Sequence, residues 1–315
     1  MTLVTTAEIK QLARAEGFDL AGIGPAGPVD SFAQYEAWLA EGCHGTMDYL
    51  ARHAALRRDV RAVMPEARSA IVCALSYVAP RNLSPDPAAP PHVSCYAWGR
   101  DYHRVMRKRL KALHRRIEAR LGRPVRARAA VDTAPLLERA LAARAGLGWI
   151  GKNTLLIHPL LGSFLFLGVL LTDLDLEPDT PIDDHCARCG ERCREACPTQ
   201  ALDRPRHLDA RRCIAYLTIE HRGPIDVPLQ ARLGPRVFGC DTCQDVCPWN
   251  RRARERLATI ERAFWPSAFL AAATLDDLAA LDEAGFRAHF TGTPVLRARW
   301  DGWQRNIAIA RHNDR

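Results

Sequence analysis

The sequence predicts an α+β protein carrying a cysteine-rich second unit, and three observations carry that expectation. Up to about residue 175, short apolar runs of strand length alternate with helix-patterned segments, which argues for an α/β or α+β domain. Between Cys186 and Cys247, apolar periodicity gives way to the regular spacing of metal ligands. From about Glu255 the pattern is helical again, with Leu257, Ile260 and Phe264 spaced for one face. The expected domains are therefore 1–175, 176–254 and 255–315.

Thr5-x-x-Glu8 is a capping box, opening a helix whose apolar stripe holds Ile9, Leu12 and Ala15 before Gly17 stops it. Phe18 to Ile23 reads as a short strand, Ser31 to Ala40 as a helix, and Ala70 to Val78 as a buried strand. Residues 79–93 hold five prolines and little periodicity, which predicts a surface loop. Tyr102, Met106, Leu110, Leu113, Ile117 and Leu121 recur at intervals of three and four, the mark of one face of a long helix. Its other face carries Arg104, Arg107, Lys108, Lys111, Arg115 and Arg116, either a solvated face or a binding surface. Val125 to Val131 reads as a strand ending at Asp132, followed by a helix over Ala134 to Ala145. Thr154 to His158 and Ser163 to Thr172 read as a hairpin, and Asp301 to Ala310 as a closing helix.

The chain has 315 residues, 48 % hydrophobic and 25 % charged, an ordinary globular composition. No apolar run is long enough to span a bilayer, and residues 1–20 lack a signal-peptide pattern, so the expectation is a cytoplasmic protein without a membrane partner. A net charge of +8 makes an anionic partner plausible, although an arginine-rich surface is an equal reading.

Eight of the eleven cysteines form C-x2-C-x3-C-x3-C-P, a single Cys213, and C-x2-C-x3-C-P. Eight thiolates are the ligand set of two cubane clusters, and two-cluster ferredoxins use a similar run ending in Cys-Pro. Each proline, Pro198 and Pro248, turns the chain away just after a sulfur is delivered. A zinc ribbon would need only the paired C-x2-C elements, and disulfides are rare in the cytosol. One interval departs from the ferredoxin run: three residues separate Cys189 from Cys193, and Gly190 in a left-handed turn is expected to absorb the extra one.

Asp132, at a strand end, is placed to reach a ligand crevice. Burial in an apolar pocket would raise its pKa and make it a proton donor; the alternative is capping of residues 133–136. Gly146, Gly148 and Gly151 mimic a dinucleotide signature, but helix precedes and strand follows, so that reading fails. They are read instead as a wall where backbone approaches a large flat ligand.

These residues add up to a family. Asp132-Thr-Ala-Pro-Leu-Leu-Glu-Arg139, Ala145-Gly-Leu-Gly-Trp-Ile-Gly-Lys-Asn153 and Cys213-Ile-Ala-Tyr-Leu-Thr-Ile-Glu-His221 resemble epoxyqueuosine reductases. So do Gly239-Cys-Asp-Thr-Cys-Gln-Asp-Val-Cys-Pro-Trp-Asn250, Tyr96-Ala-Trp-Gly-Arg-Asp-Tyr-His103 and the closing Trp300-Asp-Gly-Trp-Gln-Arg-Asn306. The resemblance implies an N-terminal α/β cobalamin-binding domain, a two-cluster ferredoxin-like domain and a small C-terminal helical region. It also implies reduction of epoxyqueuosine to queuosine at the wobble position of tRNA, with cobalamin and two 4Fe–4S clusters. A flavodoxin or ferredoxin is the expected electron donor to a monomeric enzyme.

Carried over residue by residue, Cys186, Cys189, Cys193 and Cys247 hold one cluster, and Cys197, Cys213, Cys240 and Cys243 the other. Asp132 is the proton donor, and Arg57, Tyr96, Asp132, Asn153, Leu156, Leu167 and Ala215 line the corrin. Ala215 stands where the family usually has serine. A histidine-donating cobalamin motif of the type D-x-H-x-x-G is not formed, because Met106 stands where the glycine after Asp101-Tyr-His103 belongs. Arg222, Arg297, Arg299 and Arg305 are candidate phosphate contacts, interleaved with Trp300 and Trp303, which could equally be packing residues. A related reductase acting on a small organohalide is the alternative function.

Overall fold

The computed structural model describes residues 4–78, 92–256 and 259–314. Its centre is a four-stranded sheet of order β1-β2-β6-β3, with β1 Leu20–Pro25, β2 Ser69–Ser76, β3 Ala127–Ala130 and β6 Leu165–Thr172. All three pairings are antiparallel, which makes the domain α+β. Side chains alternate across a strand, so β2 sends Ile71, Cys73 and Leu75 to one face and Ala70, Val72 and Ala74 to the other. Both faces are covered, which is why the strand reads as an unbroken apolar run.

On the first face lie the helices Thr6–Ala15 and Tyr102–Leu121, which bury Ile9 and Ala13, and Met106, Leu110, Leu113 and Ile117. Thr5 and Glu8 form the expected reciprocal cap, and Gly122 in the left-handed conformation ends the long helix. The helix Glu138–Arg144 covers the second face, burying Leu141 and Ala142. The same apolar cluster that holds Ile71 and Leu110 also takes in Val237, Phe238, Phe264, Phe286, Phe290 and Trp303. The core therefore runs across both expected domain boundaries. Buried Asn306 fastens the closing helix Arg299–Asn313 by donating to Thr218 O and Val237 O at 2.9 and 2.8 Å.

Several expectations need correcting. The segment at 154–158 does not form a hairpin with β6: β5 Leu156–Ile157 pairs with β4 Trp149–Ile150 in a separate ribbon, while β6 lies between β2 and β3. The helix expected from Ala134 starts only at Glu138. Ile260 is exposed rather than facing inward beside buried Phe264, and Leu257 lies outside the described residues. Most of the expected proline loop, 79–91, also lies outside them.

Candidate functional site

Two groups of thiols and one acid-lined cleft make up the site. The first C-x2-C folds as a single turn, Cys186–Cys189, while in the second Cys240 precedes the turn Thr242–Asp245 that carries Cys243. Burial pushes the Cys193 thiol up to about 11, and the neighbours that add to this are Cys189, Cys247 and Cys186. Cys213 is likewise pushed up to about 11 by burial, with Cys240 and Cys197 beside it. Cys243, raised by burial, faces Cys240 and Cys213 and also feels Cys193, so the two groups adjoin. Each group draws its members from both cysteine runs. Cys193, Cys213 and Cys243, raised in this way, are protonated at neutral pH until a metal replaces the proton.

N–H groups are already aimed at the sulfurs. Trp149 Nε1 donates to Cys186 Sγ at 3.4 Å and Ala201 N to Cys197 Sγ at 3.3 Å. Backbone N–H groups of Trp249 and Asn250 serve Cys247, and those of Tyr216 and Ala215 serve Cys213. Donors of this kind tune the potential of a bound cluster. Gly190 takes φ 67° and ψ −144°, so it does absorb the extra residue, but in an extended left-handed conformation rather than a left-handed turn. That region is essentially reserved for glycine.

The cleft is built at the end of β3. Asp132 has φ 56°, a left-handed conformation that aspartate and asparagine tolerate better than most side chains. Its backbone N–H donates to Glu138 Oε1 at 2.7 Å, and its Oδ2 accepts from His103 Nε2 at 3.3 Å. The other imidazole nitrogen, Nδ1, donates to Asp101 Oδ1 at 2.6 Å. Helix capping by Asp132 is excluded, because the cap position is Leu137 and no side chain bonds there.

The electrostatics reverse one expectation. Asp132 is not raised by an apolar pocket: the hydrogen bond from His103 holds its carboxyl below the usual range, against burial. Burial opposes the charge on His103, yet hydrogen bonds to Asp101 and Asp132 outweigh it and lift the imidazole to about 9. At neutral pH the proton therefore rests on His103, between two carboxylates. Glu138 is pushed up to about 8, first by burial and then by the charge of Asp132, so it too holds a proton at neutral pH.

Other expected residues gather here. Tyr49 is raised by burial and by Glu220, and the charges of Arg297, Asp132 and Arg57 also reach it. Asp241, Asp132, Glu220 and Arg297 act on Tyr96, whose hydroxyl is raised first by burial. Arg57 is buried, and among the described residues its guanidinium donates to Leu50 O alone, at 3.4 Å. Leu156 and Leu167 share one apolar layer, and buried Asn153 reaches Cys243 O at 3.3 Å. A cavity of about 700 Å³ opens beside them, lined in part by Tyr49, Glu220, Arg222, Arg297 and Arg299.

Two readings do not survive, and of the two offered for Trp303 packing is the one that holds. The glycines of 146–151 meet the protein itself: a Cβ on Gly148 would lie 2.1 Å from Ile157 O, and one on Gly151 2.4 Å from Ile157 Cδ1. They permit the β4–β5 ribbon rather than a ligand wall. Arg305 is no phosphate contact, because its guanidinium is spent on the carbonyls of Leu217, His221 and Gly223 and on Asn306. Trp303 is core, packed on Phe286 and Phe290. The sequence reading had also missed the roles of His103 and Glu138. The signal available was position: Glu138 stands in the Asp132 motif and His103 two residues after Asp101.

Paired tetrads of thiols, with a histidine held between two carboxylates, fit an iron–sulfur oxidoreductase. The family model described as epoxyqueuosine reductase QueG, DUF1730, matches residues 57–133, and that described as a 4Fe-4S double cluster binding domain matches residues 185–250. The epoxyqueuosine reductase of Pseudomonas aeruginosa is 43 % identical over 309 residues, covering 97 % of this chain and 84 % of its own. That of Escherichia coli K12 is 40 % identical, covering 97 % and 80 %. A crystal structure of epoxyqueuosine reductase with an epoxyqueuosine-modified tRNA-Tyr stem loop superposes with a TM-score of 0.84 at 29 % identity, covering 98 % of this chain and 80 % of the other. The chain belongs to the epoxyqueuosine reductase family.

Proposed function

We propose that this protein reduces epoxyqueuosine to queuosine in tRNA, with two 4Fe–4S clusters and cobalamin as resident cofactors. The single observation that carries the reading is the hydrogen-bonded Asp101–His103–Asp132 chain in a protein that also gathers two thiol tetrads, with Tyr96 within reach of the charges of both Asp132 and Asp241. The first tetrad, Cys186, Cys189, Cys193 and Cys247, and the second, Cys197, Cys213, Cys240 and Cys243, are assigned one cluster each. The donor set fits a corrin. Buried Arg57 has guanidinium donors to spare for an amide-rimmed ring, and Leu156, Leu167 and Tyr96 supply apolar wall. Both nitrogens of His103 are engaged with carboxylates, so its role is with the proton.

Bound there, cobalamin would supply the reducing cobalt chemistry, and the clusters would supply single-electron transfer. The protein's own part is the proton. Opening an epoxide to remove its oxygen places negative charge on that oxygen. Removing it altogether takes two electrons and two protons, leaves a carbon–carbon double bond and releases the oxygen as water. Asp132 hands over the first proton, held by His103, Asp101 keeps the imidazole oriented, and the second proton comes from solvent through the same exposed carboxylate. Arg222, Arg297 and Arg299 line the neighbouring cavity, where arginines suit phosphate. Arg297 already forks onto Glu220 and Arg222 onto Ala298 O and Arg297 O, so Arg299 is the leading candidate of the three. Arg299 sits at φ 60° and ψ 167°, a strained conformation for a side-chain-bearing residue and one that clusters at ligand sites. Ala215 leaves only a backbone N–H, directed at Cys213, where a serine would add a hydroxyl. The electron donor is assigned to the flavodoxin or ferredoxin class, the enzyme to a monomer and its compartment to the cytoplasm. Among the described residues no helix is long and apolar enough to cross a membrane.

Expression in a bacterium that makes epoxyqueuosine but lacks its own reductase tests the reading. Queuosine should replace epoxyqueuosine in its tRNA. Persistence of epoxyqueuosine, with the protein soluble and iron-loaded, would overturn it.

A further inference from the structure

Three cysteines lie outside the tetrads. Cys73 and Cys95 are sealed in the main core, but Cys43 faces polar partners. Its Sγ lies 3.7 Å from His207 Nε2 and 3.8 Å from Glu41 Oε2, and those two atoms are 3.1 Å apart. Zinc bonds of about 2.3 Å to sulfur and about 2.0–2.2 Å to nitrogen or oxygen, set at tetrahedral angles, imply ligand separations of about 3.4–3.6 Å. The observed triangle falls within a few tenths of an ångström of that.

The outer contacts are also those of a metal site. His207 Nδ1 is paired with Asp203 Oδ1 at 2.6 Å, which fixes the ring with Nε2 toward Cys43 and Glu41. A carboxylate behind a ligating imidazole is the usual orienting partner. Arg204 Nη2 donates to both carboxylate oxygens of Glu41, at 2.7 Å to Oε1 and 2.8 Å to Oε2, so a metal would share Oε2 while the guanidinium keeps Oε1 and holds the carboxylate in place. Cys43 is almost fully buried, whereas Glu41 is exposed. Three protein ligands on the inner side and solvent on the outer side make an open tetrahedral site.

We propose that Glu41, Cys43 and His207 bind a zinc ion, separate from the iron–sulfur cysteines, with Asp203 orienting the imidazole. One thiolate, one carboxylate and a neutral imidazole balance the charge of Zn²⁺, and the thiol proton is released to solvent on binding. The ion would clip the turn after the helix Phe32–Ala40 to the 203–209 segment of the cysteine-rich region. Those two stretches already meet through Ala210 N to Cys43 O at 2.8 Å and Trp38 Nε1 to Leu208 O at 2.7 Å. A plain ion pair between His207 and Glu41 is the competing account, and it predicts no metal.

The test uses the full chain with both clusters loaded, equilibrated in zinc buffers set by a competing chelator. Zinc and iron are then counted by mass spectrometry of the elements. The wild type should bind one zinc beyond what the Cys43→Ser, His207→Gln double variant binds, with iron equal in both. Asp203→Asn should weaken zinc roughly 10–100-fold, the usual loss for an outer carboxylate. Equal zinc in wild type and double variant, or none up to micromolar free zinc, overturns the proposal. Should the double variant lose iron, Glu41→Gln at its exposed side chain takes its place, and undiminished affinity there overturns the site.

Discussion

His103→Gln is the sharpest perturbation of the proton store. Glutamine keeps a polar side chain of similar reach but carries no ionisable proton. In the wild type the imidazole is lifted from 6.5 to about 9, so at pH 7 almost every molecule has a proton beside Asp132. Without it, Asp132 must carry the proton itself at an ordinary carboxyl pKa, near 4, and is protonated in roughly one molecule per thousand at pH 7. Glu138, pushed up to about 8, is turned to the Asp132 backbone N–H and not to its carboxyl. Single-turnover reduction of an epoxyqueuosine stem loop should therefore slow about 10²–10³-fold, within the span of general acid catalysis. The pH profile should change shape as well. Wild-type rates fall as pH rises through about 9, whereas the variant lacks that limb and speeds up toward acid. Folding has its own signature. A raised histidine stabilises fully below pH 6.5 and loses that contribution as pH rises through 9. The pairing is worth at most about 3 kcal/mol, and less because solvent screens Asp132. A variant within threefold of wild type, retaining an alkaline limb at pH 9, would refute the reasoning.

Cys247→Ser should lower iron from about eight atoms per chain to about four, and Cys243→Ser should remove the other four, because each tetrad draws on both runs; elemental analysis of anaerobically purified protein reads both. Gly190→Ala places a side chain at φ 67°, at a cost on the order of 1–3 kcal/mol; it should leave the fold by circular dichroism intact while the first tetrad loads incompletely. Arg299→Ala should weaken stem-loop binding and reduce the slope of log affinity against log salt by about 1. Arg305→Ala, which abandons three backbone carbonyls, should instead lower the melting midpoint and leave that slope unchanged.

The parts of the fold legible in the sequence are those set by local pattern. Intervals of three and four placed Met106, Leu110, Leu113 and Ile117 on the buried face of one helix, and the Thr5–Glu8 pair fixed a helix start to the residue. Pairing was less legible, because adjacency in sequence favours a hairpin while β6 finds β2 and β3 as partners from distant segments. Apolar spacing also does not guarantee a helix: Ile260 lies in irregular backbone before the turn Arg262–Phe264 and is exposed. In the site, cysteine spacing showed the metal-binding chemistry, and the strand end singled out Asp132. The proton's location was invisible, since it depends on a left-handed turn that brings Asp132 to His103 and Glu138. Glycines at 148 and 151 announced a close approach but not its object.

The most direct measurement is anaerobic incubation of the reconstituted protein with an epoxyqueuosine-containing tRNA stem loop, cobalamin and a strong reductant, followed by nucleoside mass spectrometry. Asp132→Asn, which tolerates the same left-handed backbone, is run in parallel. The account predicts loss of one oxygen from the nucleoside in the wild type, only with cobalamin, and retained substrate in the variant despite equal iron and cobalamin. Full conversion by Asp132→Asn, or none by a wild type with both clusters and cobalamin loaded, would contradict it.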